Sequence, residues 1–171
     1  MKNLFNLLTS FLVVATISCT NDTTISPSST NELEGTWVLK SILLGDAVPP
    51  LNNVREMNIT FSSTKNDSSS IFFGQSSVNT FFGGYNIVSF DNSSKTGKIK
   101  MGAIASTKIA GKPELMQLEN IYLAILEKSV DFKITTNNDV QKLRLSYSVP
   151  AGAVKNEAYD YVLFFERPIP K

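Results

Sequence analysis

The sequence predicts an α+β chain that is mainly β: an antiparallel, barrel-like sheet of about eight strands with one packed helix near residues 113–128. Three observations predict it. Apolar residues alternate with polar ones at period two in several stretches, the pattern of strands with one buried face. Clusters of turn-forming residues separate those stretches. A single segment switches to helical periodicity.

The elements follow in order. Met57, Ile59 and Phe61 alternate with Asn58 and Thr60. Val130, Phe132 and Ile134 alternate with Asp131 and Lys133. Leu143, Leu145, Tyr147 and Val149 share one face, as do Tyr159, Tyr161, Leu163 and Phe165. Further strands are predicted at 36–43, 70–74, 80–90 and 97–101. Gly45-Asp46, Asn52-Asn53, Lys65-Asn66-Asp67, Asp91 to Ser94 and Asn137 to Asp139 are the turn signals. This spacing suggests a closed or nearly closed antiparallel sheet. In PELMQLENIYLAILEK, Pro113 suits the first helical position and Glu114 the positive end of the helix dipole. Leu115, Leu118, Tyr122, Ile125 and Leu126, widened by Ile121, form an apolar stripe expected to cover one opening or one face of the sheet.

Composition narrows the function classes. The 11 Phe, 5 Tyr and 1 Trp supply a sizeable core without disulfides, and one cysteine could form none within the chain. Lys and Arg number 16 against 15 Asp and Glu, so there is no bulk field to attract nucleic acid, and no nucleic-acid partner is expected. The absence of histidine removes the commonest general base and the usual zinc ligand. No phosphate loop or EF-hand spacing is present. Neither catalytic residues, metal ligands nor a cofactor are assigned, and the chain is not expected to be an enzyme.

The first 22 residues speak to location. Lys2 precedes a short, interrupted apolar run from Leu4 to Ile17, too short for a stable membrane span, which reads as an export signal over residues 1–18. The single cysteine, Cys19, stands where that run ends. Thr16-Ile17-Ser18-Cys19 resembles a bacterial lipobox, which implies lipidation of Cys19 and cleavage just before it. Thr16 stands where Leu or Val is usual; the alternative is a plain secretory signal. Residues 19–32, rich in Ser and Thr, read as a flexible linker to a domain at 33–167. The expected location is the bacterial envelope, with a membrane as partner through the lipid anchor, on the outer membrane and facing periplasm or surface.

Three stretches together resemble the META-domain family, also called HslJ-like. They are Gly35-Thr36-Trp37-Val38-Leu39, Val78-Asn79-Thr80-Phe81-Phe82-Gly83-Gly84-Tyr85 and Ala105-Ser106-Thr107-Lys108-Ile109-Ala110-Gly111. A helix containing a glutamate follows, here with Glu119. The resemblance spans roughly residues 33 to 166. The family's two motif cysteines would fall at Val78 and Gly111, and both are missing here; their joint loss is what a paired role would produce. Members are often small envelope proteins or lipoproteins without an established common activity. The resemblance therefore implies a fold and a non-catalytic accessory or binding role in stress or envelope maintenance, with an unknown protein or small molecule as partner.

Gly35-x-Trp37 also resembles the lipocalin signature, and a carrier of a small apolar ligand in a barrel cavity is the alternative. The helix precedes the last strands here, which favours the META arrangement. Asn79, Phe82 and Tyr85 are the candidate binding surface; the competing reading is a strand entered through an aromatic-lined turn, with Asn79 bonding that turn. Thr107 and Lys108 would point to opposite faces of a strand and so would not form a nucleophile pair. Glu114 and Glu119 are five apart and fall on different helix faces.

Overall fold

A computed structural model describes residues 32–52, 54–66, 69–151 and 159–169. The expected export signal, Cys19 and most of the expected linker lie outside the described residues. The elements are β1 (Gly35–Leu44), β2 (Asn58–Asn66), β3 (Ser69–Gln75), β4 (Thr80–Asp91), β5 (Thr96–Ser106), α1 (Pro113–Lys128), β6 (Asp131–Asn137), β7 (Val140–Val149) and β8 (Tyr159–Pro168). Each strand pairs antiparallel with its neighbours in the chain, and β8 pairs with β1, so the sheet closes into an eight-stranded barrel. Closure gives every strand a partner on each side, so the sheet has no terminal strand.

The alternating apolar residues point inward as the sequence predicts. Ile59, Phe61, Phe72, Phe132, Ile134, Leu143, Leu145, Leu163 and Phe165 are all buried in one continuous core. Three cross-strand pairs set a phenylalanine over a glycine: Gly74 opposite Phe81, Gly83 opposite Phe72, and Gly97 opposite Phe132. A Cβ on Gly83 would stand 2.6 Å from the Phe72 ring, and one on Gly97 2.4 Å from that of Phe132. The missing side chain is the space the ring occupies, so volume is conserved across the pair.

The two ends of the barrel close differently. At the end where β1 begins, the Trp37 indole N–H donates to the Leu33 carbonyl at 2.8 Å, and the Arg167 guanidinium lies 3.9 Å from the Trp37 ring centroid. Arg167 also donates to the carbonyls of Glu32 and Glu34, tying the entering chain to the end of β8. Gly35 has φ +109°, a region that strongly favours glycine, and a Cβ there would meet Arg167 at 3.0 Å. The Gly-x-Trp spacing thus serves a capped end.

At the other end lies α1, packed on β5, β7 and β8. The helix interrupts the sheet: β5 and β6 pair only over Thr96–Lys98. Buried helix residues are Leu118, Glu119, Tyr122, Ile125 and Leu126. Leu115, expected in the stripe, is only half-buried, and Glu119 is buried beside the apolar residues. Tyr122 reaches the interior, edge-on to Phe81 at 5.6 Å and to Phe165 at 6.4 Å between centroids.

Among the described residues, the fully buried Tyr122 hydroxyl has no hydrogen-bond partner. Burial alone pushes its pKa up. An unmet buried hydroxyl costs free energy that phenylalanine would not incur. Tyr122→Phe is therefore expected to stabilise the fold by about 1–2 kcal/mol in denaturant unfolding. A loss of stability would mean that the hydroxyl has a partner, such as a buried water.

Candidate functional site

The segment holding the candidate binding residues begins at the turn between β3 and β4, residues 76 to 79. Ser76 and Asn79 close the turn through a backbone bond of 2.8 Å from the Ser76 N–H to the Asn79 carbonyl. The Arg55 guanidinium donates to the Ser76 carbonyl at 2.9 Å, and the Ser77 hydroxyl to the Leu115 carbonyl at 2.7 Å. The turn is thus held from β2's approach on one side and from the helix on the other.

Into this turn α1 projects Glu119, 4% exposed. Its Oε2 accepts the backbone N–H of Asn79 at 2.7 Å, that of Val78 at 3.2 Å, and the Ser76 hydroxyl in a short bond. Its Oε1 accepts the Asn79 side-chain amide at 2.7 Å. Successive backbone N–H groups converging on one oxygen form an anion-binding nest, filled here by the protein's own carboxylate. The other end of the Asn79 side chain faces away from the helix. Its Oδ1 accepts the Thr107 hydroxyl at 2.8 Å and the Ile109 N–H at 2.7 Å. A backbone N–H can only donate, so the atom facing Ile109 is the oxygen and the amide must face Glu119.

Burial by itself would raise the Glu119 pKa, but the donors from Ser76, Asn79 and Val78 outweigh it and hold the carboxyl below its usual range. The carboxylate is therefore charged, buried and fully hydrogen-bonded. One side chain from the helix, one from the β3–β4 turn and one from the loop after β5 are locked together.

The structure does not bring Asn79, Phe82 and Tyr85 onto one surface. Asn79 and Tyr85 are each 1% exposed; Tyr85 faces the core, edge-on to Phe61 at 5.0 Å. Phe82 is 63% exposed on the outer wall beside its cross-strand partner Phe73. Asn79 bonds its turn through its backbone, as the turn reading expects, while its side chain reaches two other segments. Thr107 and Lys108 lie beyond the end of β5, and the Thr107 hydroxyl is engaged by Asn79 and by the Thr80 N–H at 3.2 Å.

The sequence marks Glu119 as the helical glutamate of the family resemblance but gives it no role, since comparing it with Glu114 shows only that the two face apart. The available signal was its position: four residues after Leu115, one after Leu118 and three before Tyr122, a charge sits in the middle of the apolar stripe. Among the described residues no group of three or more His, Cys, Asp or Glu side chains is placed to hold a metal ion.

The META domain family profile matches residues 30–160. The chain belongs to the META-domain family. A solved relative in fold is the NMR structure of a protein from Burkholderia xenovorans, with TM-score 0.55 and 20% identity over 96% of this chain and 99% of that one. No curated protein matches. Within this META domain, the two positions assigned to the family's motif cysteines prove to be neighbours. A Cβ on Gly111 would lie 3.5 Å from the Val78 Cβ and 2.7 Å from its Cγ2. The valine methyls fill the space that a second side chain would otherwise share.

Glu119→Gln forces an amide N–H against either the turn N–H groups or the Asn79 amide, and Asn79 cannot flip without losing Ile109. The expected cost is about 2–4 kcal/mol at neutral pH, read by denaturant unfolding. A carboxyl whose pKa is depressed on folding stabilises above the unfolded pKa and loses that share as pH falls through the folded value. The gap between parent and Glu119→Gln should accordingly narrow on acidification. Separately, a double variant Val78→Cys, Gly111→Cys in a Cys19→Ser background should form a disulfide, since 3.5 Å falls within the accepted Cβ separation. Non-reducing mass analysis and thermal melts should show the bond and about 2–4 kcal/mol of stabilisation.

Proposed function

We propose that this META domain is a non-catalytic binding or accessory module of the bacterial envelope, exported and held to a membrane by lipid on Cys19. The observation that carries the non-catalytic reading is the fate of its buried polar groups. Glu119, Asn79, Ser76 and Thr107 satisfy one another and the backbone, leaving no poised acid, base or nucleophile among them. With no histidine in the chain, the usual activating base is also missing.

The interior weighs against the carrier alternative. Rings make a continuous path through the barrel: Phe61 with Tyr85, Phe61 with Phe72, Phe72 with Phe81, Phe81 with Tyr122, and Tyr122 with Phe165. An eight-stranded barrel is wide enough for side chains or one small ligand, and these rings take that room. Recognition then belongs to the outside of the domain.

The support for the anchor is the lone cysteine behind the apolar run of the leader. Each buried methylene contributes about 0.8 kcal/mol, so two or three acyl chains hold firmly where one would not. Mass spectrometry of the protein from its membrane fraction should find residues 1–18 removed and acyl chains on Cys19. The Cys19→Ser variant should keep the leader and carry no acyl chain. A mature protein with a free thiol at Cys19 would rule out the anchor.

A further inference from the structure

The outer wall across β1, β8, β7 and β6 carries a cleft of about 440 Å³ that the site above does not use. Register places Lys133, Arg144, Phe164 and Ser41 in one row, each paired with the next across adjacent strands. Lys142 and Glu166 pair in the next row. Between Leu39 and Ser41 the register of β1 slips by a residue against β8, a bulge that places Lys40 beside Ser41 on the cleft. Bulges of this kind re-aim a side chain without breaking the sheet.

The cleft is cationic although the chain as a whole is nearly neutral. Lys40, Lys133, Lys142 and Arg144 line it, against Glu166 as the only lining carboxylate among the described residues. Lys142 meets Glu166 at 3.3 Å, and Arg144 is oriented by Asp160 at 3.0 Å. Among the described residues neither Lys40 nor Lys133 has a carboxylate partner. Phe164, 37% exposed, offers ring surface within the same cleft. An aromatic face, flanking cations and one carboxylate acceptor are thus collected in a volume suited to a small ligand.

We propose that this cleft binds a carboxylate-bearing sugar unit of an acidic glycan. The polarised C–H groups on the apolar face of a pyranose complement the negative face of the Phe164 ring. Its carboxylate would bind Lys40, beside Ser41 and Phe164, the carboxylate of a neighbouring unit would reach Lys133 at the far end of the row, and its hydroxyls can donate to Glu166. Other anionic partners fit less well. Within the cleft Lys133, Arg144, Phe164 and Ser41 lie on strands paired to one another, so no free strand edge is offered there on which to lay an acidic peptide as an added strand. One exposed ring, Phe164, with the other lining aromatic, Phe165, buried, is no platform for successive nucleic-acid bases. A flat bilayer would not enter a cleft.

The inference rests on the binding role proposed above and names its ligand class, but it does not depend on the anchor. Full-length protein in detergent is titrated with trigalacturonate, with neutral cellotriose and triglutamate as controls, by calorimetry or by NMR shifts of the β6–β8 amides. Saturable binding of trigalacturonate is expected, weaker at high salt and much weaker for both controls. Lys40→Gln with Lys133→Gln should weaken it about tenfold, and Phe164→Thr should weaken it comparably. Both lysines are exposed, so the double lysine variant is expected to fold even if Phe164→Thr does not; parent-like melting will verify it. Equal binding of triglutamate would overturn the sugar assignment, and equal binding of cellotriose the role of charge. Absence of trigalacturonate binding, or binding untouched by the lysine changes, would overturn the site. A failed titration beside an acylated Cys19 would leave the envelope anchor standing and remove only this ligand.

Discussion

A charged carboxylate sealed among apolar side chains is the constraint on which this fold turns. Burying Glu119 without partners would cost several kcal/mol, so the carboxylate is tolerable only where donors are already arranged around it. The β3–β4 turn supplies two backbone N–H groups, a hydroxyl and an amide. The dependence runs both ways, since those N–H groups face the interior of the end layer and would be costly without an acceptor. Segments 40 residues apart in the chain are thereby fixed to each other, and Asn79 extends the lock to the loop that launches the helix.

That lock determines what the helix does for the barrel. β5 and β6 share only three residue pairs, so α1 must complete the wall and the end that the sheet leaves incomplete. Glu119 fixes the helix in rotation. Tyr122 lies three residues further on the same face and is thereby aimed between Phe81 and Phe165, with Ile125 and Leu126 beside it. At the opposite end the closing device is different in chemistry but similar in logic. Arg167 is held half-buried against Trp37, where two carbonyls and a ring face receive its charge.

Much of this was legible in the sequence because period-two alternation is a direct consequence of a sheet with one buried face. The β7 and β8 alternations, the helix at 113–128 and the Gly-x-Trp start all stand where that pattern places them. Legibility failed where the residues are small or the partners are distant. β5 runs on to Ser106 although Gly102 to Ala105 shows no strong alternation; its second half is held by pairing with Phe81, Phe82 and Gly83. Asn79 stood out because it lies among aromatics and glycines, but its donors and acceptors come from residues 107 to 119, which no local window contains. Phe82 and Tyr85 are three apart, so strand alternation alone sends one outward and the other inward. Glu119 was readable as the helical glutamate of the family resemblance and as an anomaly in an apolar stripe, but its role was not, since its partners belong to another segment.

The same accounting locates where recognition chemistry can reside. Inward positions are committed to rings matched with glycines, and a change there must be compensated across the strand pair. The polar groups near the helix are committed to one another. Outward positions alternate with the core positions and carry no such obligation, so their side chains can be chosen for chemistry at little cost to folding. On the β6, β7, β8 and β1 strip they are three cations, a phenylalanine and a bulge that adds a fourth cation. A surface whose composition is free to vary and which nonetheless gathers four cations and one carboxylate around an exposed ring gives a barrel with a packed interior room for a ligand.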